Sequence, residues 1–334
     1  MGPPPPTIDM HAHFYGGLVD DLRRRTARPF VADDGEGRPV LHAMTASTVM
    51  SPAYTDPGAR LAAMDALGID TQLLTFPGAL GIDVLDPAEV AGPIRAHGER
   101  LAALCLGSNG RFVGLGGLPL ADIGLAAREA RHARLGLGLA GVILPGNLFE
   151  SIARAEALAP VFAALDDVGG LVMVHPGLAP GESPPPPAPD HGPFRTSVVD
   201  LQASIARHAL TLVLGGFPER YPNIVFQIVN LGGTLPFVVE RLEAVATSRP
   251  PGTPFPVERF RALVTDTASL GARAIPLALE LFGADNVMFG TDQPIFMPAT
   301  RSFEALPAPS RDKVAGANAR HVLERFGQRV RAQA

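Results

Sequence analysis

The sequence has 334 residues, of which 46% are hydrophobic and 18% are charged, and its net charge at pH 7 is −5. This hydrophobic content favours a globular fold with a large core and excludes a chain that is disordered throughout. Because the chain is acidic and contains no run of lysine or arginine, we expect neither nucleic acid nor membrane as a partner and predict a small-molecule substrate.

The sequence contains a single cysteine, Cys105, which cannot form a disulfide within the chain. Such cysteine usage is typical of a reducing compartment, and it leaves histidine and carboxylate side chains as the candidate metal ligands. The N-terminal residues lack the features of a signal peptide, and no window approaches the ~18 apolar residues of a membrane-spanning helix. We therefore expect a cytoplasmic protein.

Short apolar runs recur along the chain, each followed by a longer stretch with helical periodicity, which is the pattern of repeated βα units. We predict eight strands, at residues 8–14, 68–76, 112–119, 139–146, 170–176, 223–230, 260–267 and 286–294. Amphipathic helices are predicted at 56–67, 87–104, 123–135, 154–167, 235–247 and 310–327. Eight such units predict an α/β fold, a single (β/α)8 barrel of the TIM type that spans residues 1–334 as one domain.

Two segments interrupt this repeat, residues 15–56 after the first strand and the proline-rich residues 177–194 after the fifth. Both follow the C-terminal ends of strands, and barrels build their sites on that face. We therefore predict that both segments are loops covering a substrate. The alternative is a flexible proline-rich insertion without a role.

Four side chains are predicted to meet at the same face. His11 and His13 lie two residues apart in the first strand, so the alternation of a strand directs both imidazoles into the barrel. His175 ends the fifth predicted strand and Asp292 ends the eighth, and strand ends converge at the top of a barrel. Three imidazoles and one carboxylate suit zinc, iron, manganese or cobalt. Taken alone, His175 also fits a core histidine that binds no metal.

Several segments occur in the order and at the spacing of a known family: IDMHAHF, RLAAMDALGID, GRFVGLGGLPLAD, LGLAGVIL, VHP, ERYPNIVFQIVNLGGTLPFVVERL, FGTDQP and GANARHVL. Together they resemble the amidohydrolase-2 branch of the amidohydrolase superfamily, which includes aminocarboxymuconate semialdehyde decarboxylase. The resemblance implies a hydrolase or non-oxidative decarboxylase acting on a small organic acid or ring compound. It also implies one divalent ion on His11, His13, His175 and Asp292, with Asp292 orienting a metal-bound water.

The chain departs from the family at the end of the sixth strand, where Asn230 replaces the histidine that acts as acid and base. An amide cannot accept and return a proton at neutral pH. In a first explanation, His191 or His42 takes over proton transfer. In a second, the enzyme is a non-haem iron oxygenase of secondary metabolism, with a second ion on Asn230 and Glu182 or Asp190. In a third, the chain binds a ligand without catalysis.

Substrate-binding residues are predicted from the loops. Family members that act on carboxylated aromatics use an arginine from the loop after the first strand, where this chain has His42, with Arg38 nearby. Arg195 is a candidate to bind an acidic group of the substrate, and Phe296 is a candidate for an apolar wall. Phe14, Tyr15, Phe76 and Phe194 also lie beside predicted strand ends and are candidates for the same wall. Core packing is the alternative for each of these aromatic residues.

Two further carboxylates lie in predicted strands. Asp266 ends the seventh strand and is expected to support a metal ligand or to cap the following helix. Asp9 is expected near the barrel floor, without a direct catalytic role. The resemblance also leads us to expect a homodimer.

Overall fold

We describe the computed structural model of the chain over residues 6–186, 188–248, 255–296 and 300–331. Eight parallel strands form the main sheet in the order β1-β5-β6-β7-β8-β9-β10-β11. Their bounds are β1 (Ile8–His13), β5 (Thr71–Thr75), β6 (Phe112–Gly116), β7 (Gly141–Pro145), β8 (Gly170–His175), β9 (Ile224–Ile228), β10 (Leu263–Asp266) and β11 (Val287–Met288). They follow the chain order that a (β/α)8 barrel requires.

Backbone hydrogen bonds between β1 and the segment after β11 close the barrel. The amide of Met10 donates to the carbonyl of Phe289 (2.8 Å), and the amide of His13 donates to that of Gln293 (2.7 Å). The amide of Asp292 donates to the carbonyl of His11 (2.8 Å). The predicted (β/α)8 barrel is thereby confirmed. The assignment of the whole chain to one domain stays a prediction.

Helices surround the barrel and connect its strands. The α-helices are α1 (Val19–Arg23), α2 (Pro57–Ala66), α3 (Pro87–Gly107), α4 (Ile123–Leu135), α5 (Ile152–Glu156), α6 (Ala159–Asp166), α7 (Gly192–Phe194), α8 (Leu201–Leu214), α9 (Phe217–Arg220), α10 (Leu235–Ser248), α11 (Ile275–Phe282), α12 (Ala308–Asp312) and α13 (Asn318–Arg325). The π-helices are Arg195–Asp200 and Lys313–Ala317. The 3-10 turns are Pro52–Tyr54, Gly78–Leu80, Gly146–Phe149, Asn230–Gly232, Val257–Ala262 and Ser302–Ala305.

Several helices start at aspartate residues that cap them. The side chain of Asp56 accepts from the amides of Gly58 and Ala59 at the start of α2, and Asp86 accepts from that of Ala88 at the start of α3. In both helices a proline follows the cap, where its fixed φ and missing N–H suit the first turn. As a result, α2 and α3 begin close to the positions at which the sequence predicts these helices to start.

The segment 15–56 contains a second sheet that we did not predict. Its antiparallel strands are β2 (Phe30–Asp33), β3 (Pro39–His42) and β4 (Ser47–Val49), in the order β2-β3-β4. The sheet follows β1 and contributes Leu41 and Thr48 to the wall of a cavity at the top of the barrel. We call β2–β4 with residues 43–46 the lid sheet.

The predicted strands are correctly placed but too long. The eighth covers only Val287–Met288, rather than 286–294, because the chain turns sharply at Asp292, whose φ is +60°. The second starts at Thr71 rather than at 68, because Gly68 has a φ of +61° and ends the preceding helix. In both places a left-handed residue interrupts an apolar run.

Candidate metal centre

Four side chains converge at the top of the barrel. His11 and His13 come from β1, His175 is the last residue of β8, and Asp292 follows β11. All four are buried, and one ligand atom from each lies within 4.8 Å of the others. The three imidazole rings meet edge to face, with centroids 4.7 to 5.2 Å apart. The structure therefore brings together the four residues that the sequence proposes as metal ligands.

Each imidazole has its Nδ1 atom engaged by a neighbour. The Nδ1 of His11 lies 3.0 Å from the carboxylate of Asp266, that of His13 lies 2.7 Å from the hydroxyl of Thr75, and that of His175 lies 3.0 Å from the carbonyl of Pro176. An Nδ1–H that donates in these contacts leaves Nε2 with a free lone pair. All three Nε2 atoms are then available for one ion.

The oxygen facing these nitrogens also lacks a partner. Asp292 Oδ1 lies 3.2 Å from His13 Nε2 and 3.6 Å from His11 Nε2. Among the atoms described, Asp292 Oδ1 and His11 Nε2 are both buried without a hydrogen bond. Buried lone pairs that face one another are costly unless a cation lies between them. The donor set thus fits a divalent metal ion.

The protein environment keeps three of the four ligands, His13, His175 and Asp292, in the protonation state that binds a cation. Burial lowers the pKa of His13 and of His175, so both imidazoles are neutral at neutral pH. Burial alone would raise the pKa of Asp292, but the neighbouring histidines outweigh it and lower that pKa. Burial alone would lower the pKa of His11, whereas the carboxylates of Asp266 and Asp292 raise it to about 9. A metal ion therefore has to displace a proton from His11.

Asp266 connects the metal ligands to the sixth strand. Besides His11, its carboxylate accepts from Gln227 Nε2 (2.8 Å), from the amide of Ala268 (3.0 Å) and from the amide of Asn230 (3.3 Å). The aspartate contacts a proposed metal ligand, as one of the two roles considered from the sequence requires. It does not cap the following helix, because it accepts from the turn directly after β10, whereas α11 starts only at Ile275.

A polar network that the sequence analysis missed lies below the histidines. Asp9 accepts from Thr291 Oγ1 (2.6 Å), Gln72 Nε2 (2.7 Å) and the amide of His11 (3.0 Å). Arg60 from α2 is fully buried and donates to the carbonyl of His13 (2.7 Å). Gln72 in the middle of a predicted barrel strand was the available signal, since a buried amide needs hydrogen-bond partners.

Three turns beside the ligands have unusual backbone geometry. Asp292, Asn230 and Ser269 have φ values of +60°, +53° and +57°. Residues other than glycine rarely adopt this left-handed conformation, and such residues cluster at functional sites. The side chains of Asn230 and Ser269 are joined by a hydrogen bond of 3.2 Å from Nδ2 to Oγ, and Asn230 Oδ1 is buried without a partner among the described residues.

A cavity of about 270 Å³ opens directly above the metal ligands. It is lined by His13, Tyr15, Leu41, Ala43, Thr45, Ala46, Thr48, Pro77, Ala79, Leu80, His175, Pro176, Ser197, Leu201, Asn230, Asp292, Ile295 and Phe296. Burial raises the pKa of Tyr15, so this phenol stays protonated and can donate a hydrogen bond. Of the residues predicted to contact the substrate, Phe296 and Tyr15 line the cavity, whereas His42 and Arg195 do not.

The loop histidines and Arg195 lie elsewhere. His191 is exposed at the start of α7 and is not among the residues lining the cavity. His42 stacks on Phe30 with centroids 4.4 Å apart and contacts Ser47 Oγ at 3.0 Å. Arg195 is exposed and pairs with Asp190 at 2.8 Å. Neighbours in their own segments therefore contact the side chains of His42 and Arg195.

The second-ion set proposed with the oxygenase alternative is not brought together. Glu182 binds Asn147 Nδ2 (2.7 Å) and the amide of Ala179 (2.9 Å), and it pairs with Arg154. Asn230 lies at the cavity floor. Within the described ranges, the four-residue group at the barrel top is the metal-binding cluster that the structure contains.

Comparison with known proteins identifies the family. The amidohydrolase family model Amidohydro_2 matches residues 8–325. The chain belongs to the amidohydrolase family. No helix in the described part of this amidohydrolase has the length and apolarity to cross a membrane.

Individual relatives of this amidohydrolase are decarboxylases by name. A 2-amino-3-carboxymuconate-6-semialdehyde decarboxylase of Dictyostelium discoideum is 26% identical over 72% of the chain and 67% of the relative. The 6-methylsalicylic acid decarboxylase of Aspergillus aculeatus is 25% identical over 68% of the chain and 71% of the relative. A 5-carboxyvanillate decarboxylase of Novosphingobium aromaticivorans, crystallised with manganese, superposes with a TM-score of 0.72 at 21% identity, covering 96% of each chain.

These findings confirm the enzyme class that the sequence predicts. The chain is a metal-dependent enzyme of the hydrolase or lyase type, and its cofactor is a divalent metal ion. None of the three relatives is named an oxygenase, so the oxygenase alternative has no support from them. The identity of the ion and the individual reaction are matters for proposal.

Proposed function

We propose that this amidohydrolase catalyses the non-oxidative decarboxylation of a small aromatic carboxylic acid. The observation that carries the proposal is the buried group of His11, His13, His175 and Asp292 at the floor of a largely apolar cavity. Support comes from the names of two of these relatives, both decarboxylases, of which one acts on an aromatic acid, 6-methylsalicylic acid. Hydrolysis is the alternative reaction for the same site.

The proposed cofactor is one divalent ion, either zinc, iron or manganese, held by the three Nε2 atoms and by Asp292 Oδ1. Each of these ions accepts mixed nitrogen and oxygen ligands, so the ligand set alone does not select among them. When bound, the ion supplies Lewis-acid polarisation of a substrate oxygen. The lid sheet and Phe296 are proposed to pack against the substrate ring and to exclude water from it.

Decarboxylation requires a proton and no oxidant. The bond between the ring carbon and the carboxylate breaks, its electron pair stays on the ring carbon, carbon dioxide leaves, and a proton then adds to that carbon. We propose that Asp292, whose carboxylate is ionised at neutral pH, takes a proton from water and passes it to that carbon, because the amide of Asn230 cannot do so and His191 is exposed and does not line the cavity. Asn230 is proposed to orient the substrate through its unpartnered Oδ1, and Tyr15 through its hydroxyl.

The test is an anaerobic assay of ring carboxylates labelled with ¹³C at the carboxyl group. Protein loaded with zinc, iron(II) or manganese should release labelled carbon dioxide and the corresponding decarboxylated ring in equal amounts. Asp292→Asn should lower turnover at least about 100-fold, and its metal content is measured in parallel. Asp285→Asn, at an exposed position, should leave turnover unchanged. A requirement for oxygen, or hydrolysis without carbon dioxide release, would contradict the proposal.

A homodimer remains a proposal from the family resemblance. Analytical ultracentrifugation measures it directly, because the sedimentation of a chain of 35.0 kDa differs clearly from that of a dimer. We expect the dimer at micromolar concentration, and a monomer across the concentration range would contradict it.

A further inference from the structure

The cavity above the metal ligands contains no cationic side chain among the described residues. Ten of its lining residues are apolar: Leu41, Ala43, Ala46, Pro77, Ala79, Leu80, Pro176, Leu201, Ile295 and Phe296. The remaining lining residues outside the metal centre are neutral hydrogen-bonding groups, namely Tyr15, Thr45, Thr48, Ser197 and Asn230. Among the described residues that line the cavity, only the metal centre offers a place for positive charge that could contact a substrate anion.

The arginines of the segment 15–56, and Arg195 next to the segment 177–194, do not line the cavity, and each contacts a neighbouring group. Five of them form ion pairs with carboxylates: Arg23 with Asp33, Arg24 with Asp21, Arg25 with Glu89, Arg38 with Asp34, and Arg195 with Asp190. Arg28 donates to the carbonyl of Ala46 (3.0 Å) and to Ser47 Oγ (3.0 Å), and so braces the lid sheet. The single lysine, Lys313, pairs with Asp285.

A second carboxylate on the substrate would therefore find no counter-charge among the side chains that line the cavity. Neutral hydroxyl and amide groups can bond to a hydroxyl, ester or carbonyl substituent, but they do not offset the desolvation of an anion. An apolar substituent, in contrast, gains from contact with groups such as Leu80 and Phe296. The residues that line the cavity thus favour an uncharged ring substituent over an anionic one.

We propose that this cavity selects aromatic acids that carry one carboxylate and an otherwise uncharged, largely apolar ring, and that it rejects dicarboxylates. The inference rests on the proposed function, because it assigns the first anionic group to the metal centre. The absence of a lining arginine or lysine determines the preference, and the neutral groups of Tyr15 and Asn230 orient ring hydroxyls.

Three matched ligands separate charge from size. They are 2-hydroxy-4-methylbenzoate, 2-hydroxybenzene-1,4-dicarboxylate and the 4-methyl ester of that dicarboxylate. Their affinities for the zinc-loaded protein are measured by isothermal titration calorimetry. We expect the methyl compound and the ester to bind at least about 100-fold more tightly than the dicarboxylate, as burial of an unpaired charge requires. Equal affinities for ester and dicarboxylate, or failure of all three to bind, would overturn the inference.

A designed cation provides an independent test. Ser197 lines the cavity, is exposed and lies in the π-helix Arg195–Asp200. Ser197→Arg should shift the affinity ratio of the dicarboxylate to the methyl compound about tenfold towards the dicarboxylate. Ser248→Arg, the same change at the exposed end of α10, should leave the ratio unaltered. No shift in Ser197→Arg, or an equal shift in both variants, would overturn the inference.

The two proposals can fail separately, since affinity and carbon dioxide release are measured in separate experiments. If the methyl compound binds with the expected preference but no carbon dioxide is released, the proposed reaction fails and the selectivity stands. If carbon dioxide is released equally fast from dicarboxylate and methyl compound, the reaction stands and the selectivity fails.

Discussion

The three histidines of the metal centre each have a different Nδ1 partner: a carboxylate for His11, a hydroxyl for His13 and a backbone carbonyl for His175. Such partners fix the ring orientation and the tautomer, and a carboxylate also makes the imidazole a stronger ligand. The strength of His11 as a metal ligand should therefore depend most on its Nδ1 partner, because Asp266 is the only charged partner of the three.

We predict that Asp266→Asn weakens metal binding about 10- to 100-fold, since the amide is a poorer acceptor for His11 and loses the charge. The measurement is competition with a chromophoric chelator, with circular dichroism to verify folding. Thr75→Val, which removes the uncharged partner of His13, should have a smaller effect. Equal affinity in folded Asp266→Asn and the parent protein would contradict the role given to Asp266.

Asp83 makes a second residue-scale prediction, because burial raises its pKa to about 8 and neither of its carboxylate oxygens has a partner among the described groups. The folded chain holds this proton from about pH 4 to pH 8, whereas the unfolded chain does not. Its contribution to stability is therefore full below about pH 4 and is lost as the pH rises through about 8.

The substitution Asp83→Asn should remove that loss. We expect the variant to gain stability over the parent protein progressively between about pH 4 and about pH 8, as measured by urea denaturation at several pH values. Asp285→Asn, at an exposed carboxylate, serves as the control and should show no such trend. A stability difference for Asp83→Asn that does not change with pH would contradict a buried, protonated Asp83.

The sequence was sufficient to propose the four converging ligands, because strand alternation and barrel topology determine where His11, His13, His175 and Asp292 lie. It was not sufficient for His42, His191 and Arg195. Their positions depend on local contacts in long loops, such as the stack of His42 on Phe30 and the pair of Arg195 with Asp190. These contacts have no periodicity from which a direction could be predicted.

Among the secondary-structure elements, contact between neighbouring strands limits what a position tolerates. A Cβ atom at Gly141 in β7 would lie 1.9 Å from the carbonyl oxygen of Leu171 in β8. Gly92 in α3, in contrast, has no heavy atom within 4 Å of such a Cβ. The two glycines form a matched pair.

We predict that Gly141→Ala destabilises the protein by about 3 kcal/mol, because the backbone of Leu171 cannot move away from the added methyl group unless β8 shifts. Gly92→Ala should stabilise it by about 0.5–1 kcal/mol, since alanine loses less entropy in a helix. Urea denaturation measures both. Effects of the same sign in the two variants would contradict the strand contact.

The elements also divide into those that the sequence predicts and those that it does not. Apolar runs and capped amphipathic helices such as α4 agree with the structure, because burial on both faces leaves a clear pattern. The lid sheet was missed because its strands have only three or four residues, β4 is exposed throughout, and β2 and β3 each bury a single residue. Exposed strands carry little of the apolar alternation on which prediction depends.

At the scale of the whole molecule, barrel closure is what creates the site. The strands β1, β8 and β11 are far apart in sequence. The backbone hydrogen bond from Asp292 to His11, which helps to close the barrel, brings the first and last ligands together. Loops at the same end supply the apolar walls. The account therefore depends on one central claim, that a divalent ion is bound by these four residues.

The measurement that tests this claim most directly is inductively coupled plasma mass spectrometry of the purified protein and of His175→Ala. We predict about one zinc, iron or manganese ion per chain in the parent protein and loss of that ion in His175→Ala, with folding verified by circular dichroism. A parent protein that takes up no divalent ion, or a His175→Ala variant that retains it in full, would contradict the account.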